Sequence, residues 1–363
     1  MTRKERFEAG LRQEDVDRVP FWVKIFGPSY RDFHPRYQGL SDLELADLLD
    51  LDHMAGGGSH VVPINNRVED KQERHNGLLV REYRTPDGTL TSTDRFDEGS
   101  HSWHPSQFPI KTREDLRAAR HLFAGARYEA RDDLLANCRA RLEAVGDRGI
   151  TMVGMGISPL MNLIEHFIGP DKTYYFLHDY PDEMEELITL MHEDRVRYLW
   201  ALLPDCPFDY VVSVENTSTT LLSPAVFERY CWRHLNDYGR LVVEHGKHHV
   251  LHMCGHLKAL LPRINELPAL TIEAYTAPPV GNTTVRDRLD LCPSVSIIGG
   301  TSATLWLKPV AEICRAIEES LAEAGTLRGL ALTSAGEMPR LVPIEKIQQV
   351  RAFARGLTPE RFG

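Results

Sequence analysis

The chain has 363 residues, a length that permits two domains or one large α/β barrel with extensions. It contains 42 Lys and Arg against 52 Asp and Glu, and the formal charge of −10 argues against binding that depends on neutralising nucleic-acid phosphates. Hydrophobic residues make up 42% and charged residues 26%, as in ordinary globular proteins. We find no membrane-span or signal-peptide pattern, so we expect a cytoplasmic protein that does not bind membranes.

Short apolar or β-branched runs alternate with longer helical patterns, an order typical of βα units. The predicted strands are Val19–Ile25, His53–Pro63, Ile150–Ser158, Phe208–Glu215, His248–Cys254, Ala269–Thr276, Val295–Thr301 and Gly329–Ser334. The predicted helices include Pro181–Leu203, Pro224–Gly246, Leu257–Leu267 and Pro309–Gly325. Eight units predict a closed (β/α)8 barrel spanning residues 1–363 as a single domain. An open doubly wound sheet is the alternative, but no G-x-G-x-x-G follows a first strand.

One segment before the main run breaks this alternation. Between residues 77 and 96, two alternating stretches flank Thr85-Pro-Asp-Gly88, a turn signal. We therefore predict a β-hairpin inserted in the N-terminal part of the barrel.

The end of the predicted strand His248–Cys254 carries the sequence His252-Met-Cys254-Gly255. Residues two apart in a strand point to the same face, so an imidazole and a thiol are presented together. Both groups are good zinc ligands, and barrel sites lie at the C-terminal ends of strands. Core packing is the alternative interpretation of such a pair.

Two carboxylates complete a possible mixed ligand set. Glu273 lies within the apolar run ALTIEAYT, where an unpaired charge would be costly. Glu337 follows the last predicted strand, where a solvated loop residue is the alternative. Together, His252, Cys254, Glu273 and Glu337 offer nitrogen, sulfur and oxygen donors for one Zn²⁺.

Glu215 is a candidate catalytic residue that contacts the substrate or cofactor, and Asn216 and Met155 are candidates for cofactor contacts. Glu215 and Asn216 end the run DYVVSVE and face the same predicted mouth; helix capping or a loop role is the alternative. Met155 is a candidate for the lining of an apolar cofactor pocket, although methionines at such spacing are often core residues.

The sequence resembles the uroporphyrinogen decarboxylase superfamily, and within it the zinc-dependent, corrinoid-linked methyltransferases. The His-x-Cys-Gly element at Leu251–Gly255 is the specific match. Weaker positional matches are Arg18–Trp22, Leu222–Ala225, Ile298–Gly300, Ser334–Arg340 and Pro343–Glu345. The resemblance implies a (β/α)8 barrel with a zinc site. It also implies a corrinoid brought by a small partner protein, because this chain lacks the D-x-H-x-x-G cobalamin signature.

The sequence departs from the family patterns at three places. Lys24–Pro28 lacks the arginine-rich pattern of the porphyrin decarboxylases, and His60 stands near the place of their essential Asp, where we predict a catalytic role. Glu337 stands where many methyltransferases have a third zinc-binding residue, a Cys. The stretch from His252-Met-Cys to Thr271-Ile-Glu273 also resembles cobalamin-independent methionine synthases, whose zinc uses a Glu at that place.

These features predict an enzyme that moves a methyl group between a corrinoid and a small-molecule donor or acceptor. A metal-assisted decarboxylase or lyase of a small acid is one alternative. A non-catalytic barrel that binds a corrinoid or tetrapyrrole is another. Loss of the arginine pattern and the Asp disfavours porphyrin decarboxylation.

Overall fold

The structure is a computed structural model that describes residues 1–25, 30 and 34–362. Its strands are β1 (His53–Gly56), β2 (Val61–Ile64), β3 (Glu69–His75), β4 (Leu78–Thr85), β5 (Gly88–Asp97), β6 (Ser102–Gln107), β7 (Arg127–Ala130), β8 (Gly149–Gly156), β9 (Tyr210–Val214), β10 (His248–His252), β11 (Thr271–Tyr275), β12 (Ser296–Gly300) and β13 (Leu330–Thr333).

The α-helices assigned in the described residues are α1 (Arg3–Leu11), α2 (Asp42–Leu48), α3 (Arg113–Ala124), α4 (Asp132–Val145), α5 (Pro159–Asn162), α6 (Pro170–Asp179), α7 (Pro181–Leu202), α8 (Pro224–Phe227), α9 (Arg233–Glu244), α10 (Leu261–Ile264), α11 (Val285–Leu291), α12 (Val310–Ala324) and α13 (Ile344–Ala354). Two π-helical turns, Leu163–Phe167 and Glu228–Trp232, continue α5 and α8. Short 3₁₀ turns lie at Pro35–Tyr37, Gly146–Arg148, Ala303–Leu307 and Pro359–Arg361.

Seven parallel strands form the central sheet in the order β1-β8-β9-β10-β11-β12-β13. The segment around Phe21 lies between its two edges: the Trp22 N–H donates to the Leu332 carbonyl at 3.0 Å, and the Asp52 N–H donates to the Phe21 carbonyl at 3.0 Å. The sheet is therefore curled like a barrel. The expected strand Val19–Ile25 is reduced to two isolated parallel bridges, one between Phe21 and Leu332 and one between Lys24 and Glu337.

Two apolar layers lie on the two faces of this sheet. The inner layer contains residues such as Met152, Tyr210, Val250 and Ile298, together with Phe7 of α1. The outer layer, between sheet and helices, is the largest core cluster of the described residues. The alternation of Val250 inward and Leu251 outward in β10 follows from the two-residue period of a strand.

The predicted hairpin consists of β4 and β5, which pair antiparallel with Thr85 opposite Gly88. It belongs to a larger element than expected, the four-stranded antiparallel sheet β3-β4-β5-β6. The charged β3 does not show the apolar alternation on which strand prediction depends, because all seven of its residues are exposed. We call this element the accessory sheet.

The helical prediction was least accurate at Leu257–Leu267, where the only α-helix assigned is the four-residue α10. Pro262 in its first turn lacks a backbone N–H, so a helix cannot run through this position with its full ladder of hydrogen bonds. Pro224–Gly246 is helical but interrupted by the π-helical turn at Glu228–Trp232. By contrast, α7 and α12 match the predicted ranges within two residues.

Candidate functional site

The ends of β9, β10 and β11 bring the main candidate residues together. His252 pairs with Glu273 across β10 and β11. The backbone N–H groups of Glu215 and Asn216 both donate to the His252 carbonyl, at 2.9 and 3.1 Å. Asn216 has a φ of 44°, in the left-handed region, and this conformation turns the chain away from β9. Parallel pairing thus places all four residues at the C-terminal edge of the sheet.

His252, Cys254 and Glu273 form a cluster of side chains. His252 Nδ1 is hydrogen-bonded to Glu273 Oε2. Burial lowers the pKa of His252, but hydrogen bonds to Cys254 and Glu273 outweigh this effect and raise it to about 9. Cys254 Sγ lies 3.5 Å from Asn216 Oδ1 and donates to it. The His252 and Cys254 side chains are therefore in contact, with Cys254 two residues beyond the end of the strand segment that pairs with β11, and Glu273 is their carboxylate neighbour.

Lys24 is part of this site, although the sequence analysis did not select it. Its Nζ lies 2.5 Å from Glu273 Oε1, and the two side chains are only 16% and 4% exposed. Burial raises the pKa of Glu273, but the charges of Lys24 and His252 outweigh this and hold it below its usual value. The Lys24 carbonyl accepts from the Met338 N–H at 2.8 Å, which fixes the segment beside the end of β13. A lysine inside the apolar run VPFWVKI was the available signal.

We expect Lys24→Met to lower the free energy of unfolding by about 2 to 4 kcal/mol, because it leaves the buried Glu273 carboxylate with His252 as its remaining partner. Lys258→Met is the matched control. It removes an ion pair with Asp287 in which the lysine is 53% exposed, and we expect a loss below about 1 kcal/mol. Urea unfolding at neutral pH measures both values. Equal losses in the two variants would contradict the role assigned to Lys24.

Two further carboxyl groups lie behind the cluster. Asn216 Nδ2 donates to Glu165 Oε2 at 3.0 Å, and Glu165 belongs to the π-helical turn Leu163–Phe167. Glu215 is fully buried; its Oε1 accepts from the Ser158 N–H at 2.9 Å, while its Oε2 has no hydrogen-bond partner among the described residues. Burial raises the pKa of Glu165, and it raises that of Glu215 to about 7. Glu215 can therefore hold or release a proton near neutral pH.

Two predicted site residues, Met155 and His60, lie away from this cluster. Met155 packs in the core between sheet and helices and is 1% exposed, as the alternative interpretation of a core residue expects. His60 is buried where its carbonyl accepts from the Arg131 N–H, and its charged neighbours are Asp205 and Arg139. Burial also lowers the pKa of His60. The outward path of the chain after β1 removes His60 from the ends of β9 to β11.

Glu337 lies beside the cluster without joining it. Its backbone forms a parallel bridge with Lys24, but its side chain is exposed and makes no hydrogen bond or ion pair with His252, Cys254 or Glu273. Residues 26–28 of the segment Lys24–Pro28, where the arginine pattern is missing, lie outside the described residues.

The donor chemistry at the cluster fits zinc, although no three His, Cys, Asp or Glu side chains in the described ranges have the arrangement of a metal site. An imidazole, a thiol and a carboxylate are in contact here, and these are the donor types that zinc uses. Glu273 can serve as a ligand, or it can orient His252 through Nδ1 as carboxylates do beside zinc-bound histidines. Lys24 competes with a metal for the same carboxylate.

Comparison with protein families places this geometry in context. The family model described as uroporphyrinogen decarboxylase (URO-D) matches residues 109–357, well over half of the chain. The chain belongs to the uroporphyrinogen decarboxylase family. No curated protein matches this family member. The matched range contains Glu215, Asn216, His252, Cys254 and Glu273, whereas Lys24 lies before it.

Among solved structures, the family member is similar to a methyltransferase from Methanosarcina mazei, with a TM-score of 0.61 and 15% identity over 98% of both chains. This likeness supports the barrel fold. A putative vitamin-B12 independent methionine synthase from Listeria monocytogenes aligns over 94% of this chain and 96% of its own, at 12% identity and a TM-score of 0.43. No helix in the described residues is long and apolar enough to span a membrane.

Proposed function

We propose that this member of the uroporphyrinogen decarboxylase family is a zinc-dependent methyltransferase. It moves a methyl group between a corrinoid, carried by a small partner protein, and a small-molecule donor or acceptor. The observation that carries the proposal is the contact of His252, Cys254 and Glu273 at the ends of neighbouring strands. The fold of the Methanosarcina methyltransferase gives additional support.

A zinc ion bound there would supply Lewis acidity, lowering the pKa of a heteroatom that gives or receives the methyl group. The protein residues have separate tasks around it. His252 and Cys254 would hold the ion, with Glu273 as third ligand or as the partner that orients the His252 ring. Glu337 could complete the set only by turning its exposed side chain inward.

The remaining polar residues orient the zinc-binding side chains, neutralise the Glu273 carboxylate or carry a proton. Asn216 accepts from the Cys254 thiol and donates to Glu165, which fixes the orientation of its amide. Lys24 neutralises Glu273 when no other cation is bound. Glu215 Oε1 accepts from the Ser158 N–H, so Glu215 holds its proton at Oε2 and is available to exchange it near neutral pH. The Lys24 ion pair neutralises the Glu273 charge, and a protonated Glu215 carries no charge. The low net charge favours binding of an uncharged or desolvated reacting group.

The test is demethylation of methylcob(III)alamin by the zinc-loaded protein in the presence of small thiol, alcohol or amine acceptors. We expect turnover in the unmodified protein and a loss of about 100-fold or more in Cys254→Ala. The control is Cys292→Ala, because Cys292 precedes β12 and is buried at the opposite end of the sheet. The absorption spectrum of the corrinoid follows the reaction directly.

We do not expect uroporphyrinogen to be a substrate of this protein. We expect no coproporphyrinogen from this protein, since the arginine pattern and the Asp of the decarboxylases are missing from its sequence. His60→Asp alone should not create the activity, because His60 lies away from the cluster. Zinc content with turnover of a small acid and no corrinoid reaction would support a metal-assisted decarboxylase or lyase instead. Corrinoid binding without zinc or turnover would support a binding protein.

A further inference from the structure

A cavity of about 290 Å³ lies between the accessory sheet and the π-helical turn Leu163–Phe167. Its wall on the sheet side includes Arg81, Tyr83 and Asp94. Its opposite wall includes His166 and Phe167. The volume suits a small molecule rather than a cofactor as large as a corrinoid.

Among the described residues, the Asp94 carboxylate carries the unpaired charge in the wall of this cavity. Arg81 is engaged by Asp70, with Nε 2.9 Å from Oδ1 and a second contact to Oδ2, so these two charges cancel. The guanidinium also lies over the Tyr83 ring, 4.7 Å from its centroid. Asp94 makes no ion pair in the described parts of the chain, and its negative charge acts on Arg81 and His166 across the cavity. Burial lowers the pKa of His166 and outweighs the charge of Asp94, which acts in the opposite direction.

The position of Asp94 follows from the two-residue period of β5. Ser92 and Asp94 are two residues apart in this strand, and both line the cavity. Arg81 of β4, which pairs with Ser92, lines the same cavity. Regular alternation in the accessory sheet therefore places the Asp94 carboxylate on the face that lines the cavity.

The apolar part of the wall is aromatic, with the rings of Phe108 and Phe167. Aromatic faces combined with one carboxylate attract a cation that also carries apolar groups, because the ring quadrupole and the carboxylate act on the same charge. We infer that this cavity binds a small organic cation, an ammonium group bearing methyl substituents.

The cavity is connected to the candidate metal cluster through Glu165 and Asn216. His166 and Phe167 directly follow Glu165, whose Oε2 lies 3.8 Å from His166 Nε2 and accepts from Asn216. Asn216 in turn accepts from the Cys254 thiol. A molecule in the cavity would therefore lie on the side of the site formed by Glu165 and Asn216. The inference that the cavity binds an organic cation is independent of the proposed function. The further step, that this cation is the methyl-group substrate, rests on the proposed function.

Isothermal titration calorimetry with choline chloride tests the inference on the purified protein. The neutral isostere 3,3-dimethylbutan-1-ol has the same shape without the charge. We expect choline to bind at least about tenfold more tightly than the alcohol, and Asp94→Asn to weaken choline binding by at least about tenfold. The control Glu73→Gln removes an exposed carboxylate from β3 and should leave the affinity unchanged.

Absence of choline binding, or equal binding of choline and the alcohol, would overturn the inference. So would unchanged affinity in Asp94→Asn. Tighter binding of pivalate would assign the cavity to anions through Arg81 instead. The comparison of choline with the alcohol uses the unmodified protein, so it does not depend on how well a variant folds. Choline binding without methyl transfer would leave the cavity assignment intact while the proposed function failed.

Discussion

Replacing either His252 or Cys254 with Ala is expected to remove most of the zinc from the purified protein, which should otherwise carry close to one ion per chain. The two donors leave the end of β10 on one face, and no neighbouring side chain can replace a lost imidazole or thiolate in the described cluster. Elemental analysis of the purified variants measures the loss. Full zinc content in Cys254→Ala would show that the metal is bound elsewhere.

The coordination of the bound ion follows from the same cluster. X-ray absorption should show about one sulfur neighbour near 2.3 Å and nitrogen or oxygen neighbours near 2.0–2.2 Å. Glu273→Gln should weaken zinc binding whether Glu273 is a ligand or orients His252, and Glu337→Gln should do so only if that side chain turns inward. Cys292→Ala serves again as control. Two sulfur neighbours, with binding lost in Cys292→Ala, would contradict the assignment.

The buried carboxyl of Glu215 is expected to make the protein less stable as the pH rises. Its pKa of about 7 in the folded protein lies above the usual 4.5, so the folded state retains a proton that the unfolded chain releases. Stability therefore falls between about pH 4.5 and 7, and the cost is complete above that range. Burial without a partner for Oε2 is the physical reason.

Glu215→Gln removes the titration and keeps the size of the side chain. The unmodified protein loses stability as the pH rises, and the variant does not. We therefore expect the free energy of unfolding of the variant, minus that of the unmodified protein, to be larger at pH 8 than at pH 5 by about 2 to 3 kcal/mol. Urea unfolding of both proteins at the two pH values gives this difference. Glu244→Gln, which removes an exposed carboxylate from α9, should have a small effect at either pH. A difference that does not change with pH would exclude an ionising Glu215.

If Glu215 also exchanges a proton during the reaction, the same variant should lose methyl transfer without losing zinc. This separates it from His252 and Cys254, whose loss removes both. The carboxyl does not contact the metal donors through its side chain, since its hydrogen bond goes to Ser158.

The sequence predicted those features that depend on residues close together in the chain. Six of the predicted strands, from Ile150–Ser158 to Gly329–Ser334, correspond to β8 to β13. The shared face of His252 and Cys254 depends only on the two-residue period of a strand. Glu273 was conspicuous because a carboxylate in an apolar run must find a partner, and it pairs with His252 and Lys24.

Contacts between distant segments could not be predicted in this way. Lys24 meets Glu273 only because the segment after Phe21 lies between the edges of the sheet, and Glu165 meets Asn216 because a π-helical turn follows α5. The positions of Met155 in the core and of His60 beside Asp205 and Arg139 also depend on contacts between distant segments. Strand positions, the His252–Cys254 pair and the buried acid Glu273 follow from periodicity and burial, which a sequence records directly. The partners of these residues, the pKa of Glu215 and the cavity beside Asp94 depend on distances across the fold, which only the tertiary structure determines.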